Sequence, residues 1–171
     1  GSLEALWALA LLDRLTGKRA LEWVNHPSPH IRRWIIRLEG DRRKTSKQMA
    51  AAFRVLAEKE KDVEVRSQLA ASAKRFLPKH GLPMLMALSK HRQDMEDKHL
   101  PLMIWWGIEA HAESGRDLIR HWFSESETWE QPMIREFIGQ RLIRRYAMGG
   151  GKDNFASCAD LLESAPNDEI E

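Results

Sequence analysis

Cysteine and long hydrophobic runs are the scarcest features of this sequence, and each scarcity excludes a class of structure. Cys158 is the only cysteine among 171 residues, so the chain can form neither an internal disulfide nor a C-x-x-C-H motif for covalent haem attachment. No apolar stretch approaches the roughly 20 residues that a membrane-spanning helix needs. We therefore expect no membrane insertion by this chain and a fold that is stabilised by packing.

The motifs of common catalytic and metal sites are also missing. Among the seven histidines, only His26 and His30 have the four-residue spacing of a zinc-binding helix, and Pro27 and Pro29 prevent them from sharing a helix face. There is no G-x-S-x-G nucleophile elbow. The glycines at 149–151 are not followed by the Lys-Ser/Thr pair of a phosphate-binding loop. The sequence therefore predicts no catalytic residue, no metal site and no cofactor, and we interpret the chain as non-enzymatic.

Balanced charge and abundant tryptophan are the main features of the composition. The 27 basic and 25 acidic residues give a net charge of +2, which does not single out nucleic acid as a partner, and seven residues are tryptophan. A chain of this length can bury one sizeable core, so we expect a single domain over residues 1–171. Gly1-Ser2 resembles a cloning scar, which indicates a piece excised from a larger protein, and the polar residues 165–171 are expected to fray.

Apolar residues recur at helical spacing along the whole chain, and no segment alternates as a strand would. Glycine, proline and N-capping residues divide the pattern into about ten helices with short connections, which predicts an all-α protein. Pro78 and Gly81 are interpreted as a break between two helices. The predicted helices cover residues 3–15, 19–25, 29–39, 46–61, 63–76, 82–90, 100–113, 116–123, 132–148 and 155–164.

Three short segments indicate an internal repeat. "SPHIR", "DVEVR" and "QPMIR" each place a β-branched residue directly before an arginine, namely Arg32, Arg66 and Arg135. The first two arginines are 34 residues apart and the last two are 69 apart, about twice that step. A missing copy then falls near position 101, where Met103 stands close to the place of the arginine. This spacing predicts stacked helix pairs, that is, an α-solenoid of about five pairs.

The repeated motif resembles the Asp-Pro-x-Val-Arg helix start of the HEAT repeat family. The matching residues are Pro29, Ile31 and Arg32, then Asp62, Val65 and Arg66, then Pro132, Ile134 and Arg135. The resemblance implies a HEAT-like superhelix. In such a fold each arginine can reach a carboxylate or a helix end in the next repeat, so the ladder is expected to include Arg32, Asp62, Arg66 and Arg135.

A longer stretch is similar to one particular group of proteins. "HPSPHIRRWIIRLEGD", the "VEVRSQLA" helix and "LPLMIWWGIEAH" resemble the helical repeat region of large planctomycete and verrucomicrobial proteins of the membrane-bound dehydrogenase-like type. In those proteins a β-propeller precedes the repeats and a c-type haem domain follows them. The resemblance implies a spacer or docking scaffold in a larger exported or periplasmic bacterial protein, with neighbouring protein domains or another protein as partners.

One cluster of residues leaves a second interpretation open. Trp105 and Glu109 are four residues apart on one helix face, next to Trp106. Three arginines lie on one side of a later helix: Arg141, Arg144 and Arg145. HEAT-like alkylpurine DNA glycosylases use a tryptophan and an acidic residue at a base, so this cluster resembles a nucleic-acid site with arginines for phosphates. Alternatively, both tryptophans belong to the core and the arginines form a solvated face.

Three functions remain open on the sequence alone. The balanced charge favours a protein-interaction scaffold. A nucleic-acid-binding HEAT protein requires a continuous basic groove with an exposed tryptophan and an acid, and its binding would fall steeply with salt. A lyase-like or small-ligand-binding HEAT protein requires an apolar pocket with convergent polar groups, for which the sequence gives no direct sign.

Overall fold

The structure is a computed structural model that describes residues 2–12, 14–15 and 17–166. It is 77% helical, and the described residues contain no strand, which confirms the predicted all-α class. The α-helices of this part of the chain are α1 (Ser2–Leu11), α2 (Gly17–Trp23), α3 (Pro29–Arg42), α4 (Lys47–Lys59), α5 (Val63–Ala73), α6 (Pro78–Leu88), α7 (Leu100–Ala110), α8 (Arg116–Ser124), α9 (Ser126–Trp129), α10 (Gly139–Gly149) and α11 (Lys152–Ser164).

Local signals in the sequence set several helix ends. The side chains of Ser46 and Asp62 accept hydrogen bonds from the backbone N–H groups of Met49 and Val65, each at 3.1 Å, and so cap α4 and α5. Arg43 follows α3 in the left-handed conformation, with φ of 54°, and its N–H donates to the carbonyl oxygen of Gly40. The capping residues therefore place these two helix starts where the sequence predicted them, to within one residue.

The predicted break at Pro78 and Gly81 is wrong. α6 begins at Pro78, runs through Gly81 and also contains Pro83. Proline fits the first turn of a helix because the N–H groups there have no intrahelical acceptor. At Gly81 a Cβ atom would lie 2.7 Å from Nε2 of His111 and closer still to the carbonyl oxygen of Ala73. Glycine at this position therefore marks a close approach between helices and not a helix end.

Three local elements lie outside the predicted pattern. A 3₁₀-helix covers Arg92–Glu96, between α6 and α7, and the short helix α9 follows α8. The helix predicted over 132–148 is present, but Ile134–Ile138 have π-helical hydrogen bonding before α10 continues. A π-helical turn holds more residues than an α-helical one, so it shifts the side chains of this segment around the helix axis.

The helices pack in two rows. In one row α1 contacts α3, α3 contacts α5, and α5 contacts α7. In the other row α2 contacts α4, α4 contacts α6, α6 contacts α8, and α8 contacts α11. The rows are joined by contacts such as those of α5 with α6 and of α10 with α11. Each helix therefore packs mainly on the helix two places away in the sequence and on its immediate neighbour.

The buried apolar side chains form one connected cluster between the rows. Phe53, Phe123 and Tyr146 are among its largest fully buried members. Large apolar side chains are exposed near both ends of the helix order, with Leu11 at 88% and Met148 at 81% of their surface. Two predicted features, the scar residue Gly1 and most of the frayed tail at 167–171, lie outside the described residues.

Candidate functional site

Arg32 and Glu60 form the first of two interhelical ion pairs. Arg32 lies in the first turns of α3, and Glu60 directly follows α4. Nε and Nη2 of Arg32 donate to the two carboxylate oxygens of Glu60, each at 2.7 Å, and the side chain of Glu60 is only 3% exposed. Nη1 of Arg32 also donates to the carbonyl oxygens of His26 and Pro27, at 2.8 and 2.9 Å. The guanidinium therefore connects the start of α3 to the segment that leads into α5.

Arg66 and Asp94 repeat this arrangement one step along the chain. Nε of Arg66 donates to Oδ2 of Asp94 at 2.6 Å, and Nη2 donates to Oδ1. Nη1 donates to the carbonyl oxygen of Glu60 at 3.0 Å. Both side chains are almost fully buried, at 4% and 2% exposed. Bidentate pairing satisfies the fork of the guanidinium and the carboxylate together, which is what makes burial of both charges tolerable.

The two ion pairs have the same register. In each, the acid follows the arginine by 28 residues, and Nη1 reaches a carbonyl six residues before the arginine. The sequence predicted the arginines, but it identified neither Glu60 nor Asp94. Their common spacing of 34 residues, the same as between the arginines, was the signal that could have found them. Asp62, assigned to the ladder from the sequence, instead caps α5 through Val65.

The pairing does not continue in this form at the third repeat. Met103 occupies the place in α7 that Arg32 and Arg66 have in α3 and α5, four residues into the helix. Thr128, 34 residues after Asp94, is buried and donates its hydroxyl to the carbonyl oxygen of Trp122 at 2.7 Å. Arg135 lies half-buried in the π-helical segment. A buried ion pair is best lost as a pair, since a single remaining charge would be desolvated without compensation.

A second set of contacts closes the ends of helices against the following repeat. Nε2 of His91 lies 2.7 Å from the carbonyl oxygen of Ala57, and Nε2 of His111 lies 3.1 Å from that of Ala73. The hydroxyl of Tyr146 donates to the carbonyl oxygen of Ala112 at 2.6 Å. Carbonyls at helix ends have no intrahelical donor, so these side chains replace water there.

The environments of Glu60 and His111 shift their pKa values. Burial disfavours the charged form of Glu60, but the hydrogen bonds from Arg32 and from the backbone of Asp62 and Lys61 outweigh it, so the pKa of Glu60 is lowered. Burial lowers the pKa of His111, against the effect of its contact with Ala73. Glu60 is therefore held as an anion and His111 as a neutral ring that donates from Nε2.

The tryptophan pair is divided between core and surface. Trp105 is 8% exposed and Trp106 is 50% exposed. Trp105 and Glu109 line an open cavity of about 420 Å³, and the facing side of α10 completes it with three arginines: Arg141, Arg144 and Arg145. We call this cavity the arginine groove. Five of the six residues of the predicted cluster thus lie around one cavity, whereas Trp106 is not part of its wall.

Two of the three arginines in this groove are already engaged. Arg141 lies over the ring of Phe137 at 3.5 Å and donates to the carbonyl oxygen of Phe137 at 2.8 Å. Arg145 pairs with Glu113 at 2.9 Å. Arg144 and Glu109 form no hydrogen bond or ion pair with any described residue. The groove therefore offers one exposed guanidinium beside a fixed one, but also a carboxylate that repels anions.

The remaining candidate chemistry can be placed briefly. Cys158, predicted to be buried, is half-buried in α11. No three His, Cys, Asp or Glu side chains of the described residues converge as metal ligands would. None of the helices in residues 2–12, 14–15 and 17–166 is long and apolar enough to cross a bilayer. Comparison with family models, with curated proteins and with solved structures gives no match to this chain.

Proposed function

We propose that this chain is a HEAT-like α-solenoid that works as a non-catalytic interaction and spacer module. The observation that carries the proposal is the repeated ion pair, Arg32 with Glu60 and Arg66 with Asp94, in one register 34 residues apart. Five helix pairs fit the solenoid: α1 with α2, α3 with α4, α5 with α6, α7 with α8, and α10 with α11. The two rows of helices are the contacts that such stacking requires.

The ion pairs suit a spacer because they connect successive repeats. Each arginine sits in the first turns of one helix and grips the segment that enters the next helix of the same row. A bidentate pair fixes two directions at once, and the extra bond to a backbone carbonyl fixes a third. Neighbouring repeats are thereby held at a set angle, and the length of the array follows from the number of repeats.

We further propose that the module belongs to a larger exported bacterial protein. The support is the similarity of "HPSPHIRRWIIRLEGD" and "LPLMIWWGIEAH" to the repeat region of planctomycete and verrucomicrobial dehydrogenase-like proteins. In that setting the repeats would separate and position neighbouring domains, which would be the protein partners of this chain. Any catalytic activity would belong to those domains.

A distance measurement tests the spacer. Spin labels at Glu22 in α2 and Glu163 in α11, on a Cys158→Ser background, report the end-to-end distance by double electron–electron resonance. A rigid solenoid predicts one narrow distance distribution, no broader than that of a control pair at Gln48 and Lys90 on neighbouring repeats. A broad or multiple distribution for the end-to-end pair alone would contradict a rigid spacer.

A second candidate, nucleic-acid binding, is favoured by one specific observation. Trp105, Glu109 and three arginines line the same groove, the combination that the sequence had suggested for this function. Three phosphate contacts would give a salt slope of about −2.7, so affinity would fall about 40-fold between 50 and 200 mM salt. Fluorescence anisotropy of labelled DNA at these two salt concentrations measures this fall directly.

The variant Arg144→Glu tests whether the groove is the site, with Arg92→Glu, an exposed position outside the groove, as the matched control. Salt-sensitive binding that only Arg144→Glu abolishes, together with quenching of tryptophan emission, would support this candidate. Absence of binding at 50 mM salt would exclude it and leave the scaffold.

A further inference from the structure

Three cavities join into one groove along the second row of helices. A cavity of about 340 Å³ lies between α4 and α6, one of about 410 Å³ lies over α4, α6 and α8, and one of about 460 Å³ lies between α8 and α11. The first two share Arg54 and Pro83 in their walls, and the last two share His121. We call this continuous feature the long groove; it lies along α4, α6, α8 and α11, whereas the arginine groove lies between α7 and α10.

One end of the long groove is basic. Lys47, Arg54 and Lys79 line the cavity between α4 and α6, and no carboxylate lines it. None of these three cations forms an ion pair with a described residue. His80 lies among them, and its pKa is lowered by burial and then by Lys79 and Lys47. The shift shows that the local potential is positive in the folded chain.

The middle of the long groove is mainly apolar. Leu82, Pro83 and Met86 of α6 face Leu118 and Trp122 of α8 across it. Leu118 is 42% exposed, so a large aliphatic side chain lies open to solvent within the groove. Pro83 has no N–H to give to the carbonyl of Lys79 four residues earlier, which leaves that acceptor without its usual helical donor at the wall of the groove.

The other end of the long groove is acidic. Asp117, Asp160 and Glu163 line the cavity between α8 and α11, against one arginine, Arg120, which is paired with Asp160. Asp117 and Glu163 form no ion pair with any described residue. The charge along the groove therefore changes sign, from basic at α4 to acidic at α11, with an apolar centre.

We propose that the long groove binds an extended segment of a protein partner that is acidic at one end, apolar in the middle and basic at the other. This inference rests on the proposed role as an interaction scaffold and names the chemistry of the partner. Two steps between neighbouring helices, each about 9 Å, separate the outer cavities. An extended chain covers that distance in about six residues at 3.3 Å each, so a heptapeptide reaches both charged ends.

The change of sign selects this occupant over the alternatives. A nucleic acid carries one sign of charge throughout, so the acidic end would repel it where the basic end attracts it. A peptide with charges arranged in two blocks gains at both ends, and its apolar centre removes Leu118 and its neighbours from water. The same peptide with mixed charges at each end would gain only the apolar term.

A peptide-binding measurement tests the proposal. The probes are fluorescein-labelled "EELLLKK" and "KKLLLEE", which cover both chain directions, with "EKLLLKE" as the composition-matched control. Fluorescence anisotropy at low salt should show that one of the block peptides binds at least tenfold tighter than the control peptide. Equal binding of all three peptides, or no binding of either block peptide, would overturn the proposal.

Charge reversal locates the site. The double variant Lys47→Glu with Lys79→Glu should weaken block-peptide binding at least tenfold and should bind "KKLLLKK" instead. The matched control is Lys18→Glu with Lys152→Glu, which makes the same charge change in the first turns of α2 and α11, outside the groove walls, and should alter affinity less than twofold. Equal weakening by both double variants would show a nonspecific charge effect and refute the groove.

The result separates this inference from the function on which it rests. A narrow end-to-end distance distribution with no peptide binding would leave the spacer intact and remove the groove. A broad distribution with specific peptide binding would do the reverse.

Discussion

The sharpest consequence of the structure concerns the buried ion pair of Arg66 and Asp94. Replacing Asp94 by asparagine keeps the shape of the side chain but removes its charge and turns one of its two acceptors into a donor. Arg66 then keeps its bond to the carbonyl of Glu60 and loses the two bonds to the carboxylate. Because the guanidinium is 4% exposed, water cannot replace the lost partner.

The magnitude follows from the burial of the remaining charge. Removing one member of a buried pair costs about 3–5 kcal/mol of unfolding free energy. For a domain of this size each kcal/mol lowers Tm by roughly 2–4 °C, so Asp94→Asn should lower Tm by roughly 6–20 °C. The exposed pair of Arg33 and Glu64, at 3.3 Å, is the internal comparison, and Glu64→Gln should cost less than about 1 kcal/mol.

Urea unfolding followed by far-UV circular dichroism measures both variants. A double variant, Arg66→Met with Asp94→Leu, removes both charges together and should recover most of the stability lost in Asp94→Asn. The reasoning would be refuted if Asp94→Asn cost no more than Glu64→Gln. It would also be refuted if the double variant were as unstable as the single one, since the cost would then come from packing.

Three further predictions concern groups at the contacts between repeats. The lowered pKa of His111 makes stability fall as pH drops below 6.5, and His111→Gln, which can still donate to Ala73, should flatten this part of a Tm-against-pH curve. The lowered pKa of Glu60 makes stability fall as pH drops below 4.5 towards its folded-state value, and acid titration of Glu60→Gln should lack that contribution. Gly81→Ala should cost about 1–3 kcal/mol in urea unfolding because its Cβ meets backbone, whereas Gly17→Ala, with nothing within 4 Å, should not destabilise α2.

The positions of most helices could be predicted from the sequence because the capping and stop signals are local. Ser46 and Asp62 cap α4 and α5 through their own helix starts, and no tertiary contact is needed to recognise them. Gly81 shows the limit of the same logic. A glycine inside a helix looks like a stop signal, and only the passage of Ala73 and His111 against it shows why the helix continues.

The ladder was predictable by half. The arginines share a local motif, so their 34-residue step is visible in one sequence. The acids follow no motif of their own: Glu60 lies after a helix and Asp94 lies in a 3₁₀-helix. The repeated distance of 28 residues from arginine to acid becomes meaningful only once the contacts are known.

The two grooves differ in how far the sequence could indicate them. Trp105 and Glu109 share one helix face, so their convergence was visible, but their meeting with Arg144 depends on how α10 is placed. The long groove draws residues from several helices that are far apart in the sequence, and each of its charges looks like an ordinary surface charge. The separation of basic and acidic ends arises only from the order of helices in the row.

The repeating architecture is tested most directly by hydrogen exchange on the intact chain. Leu6 is fully buried in α1, which packs on α3, and Leu6→Ala should cost about 2–5 kcal/mol. In a solenoid, stability is a sum over neighbouring repeats, so this loss should raise amide exchange in α1, α2 and the adjoining α3 while exchange in α8 and α11 stays unchanged. An equal rise in exchange along the whole chain would show one cooperative bundle and contradict the solenoid.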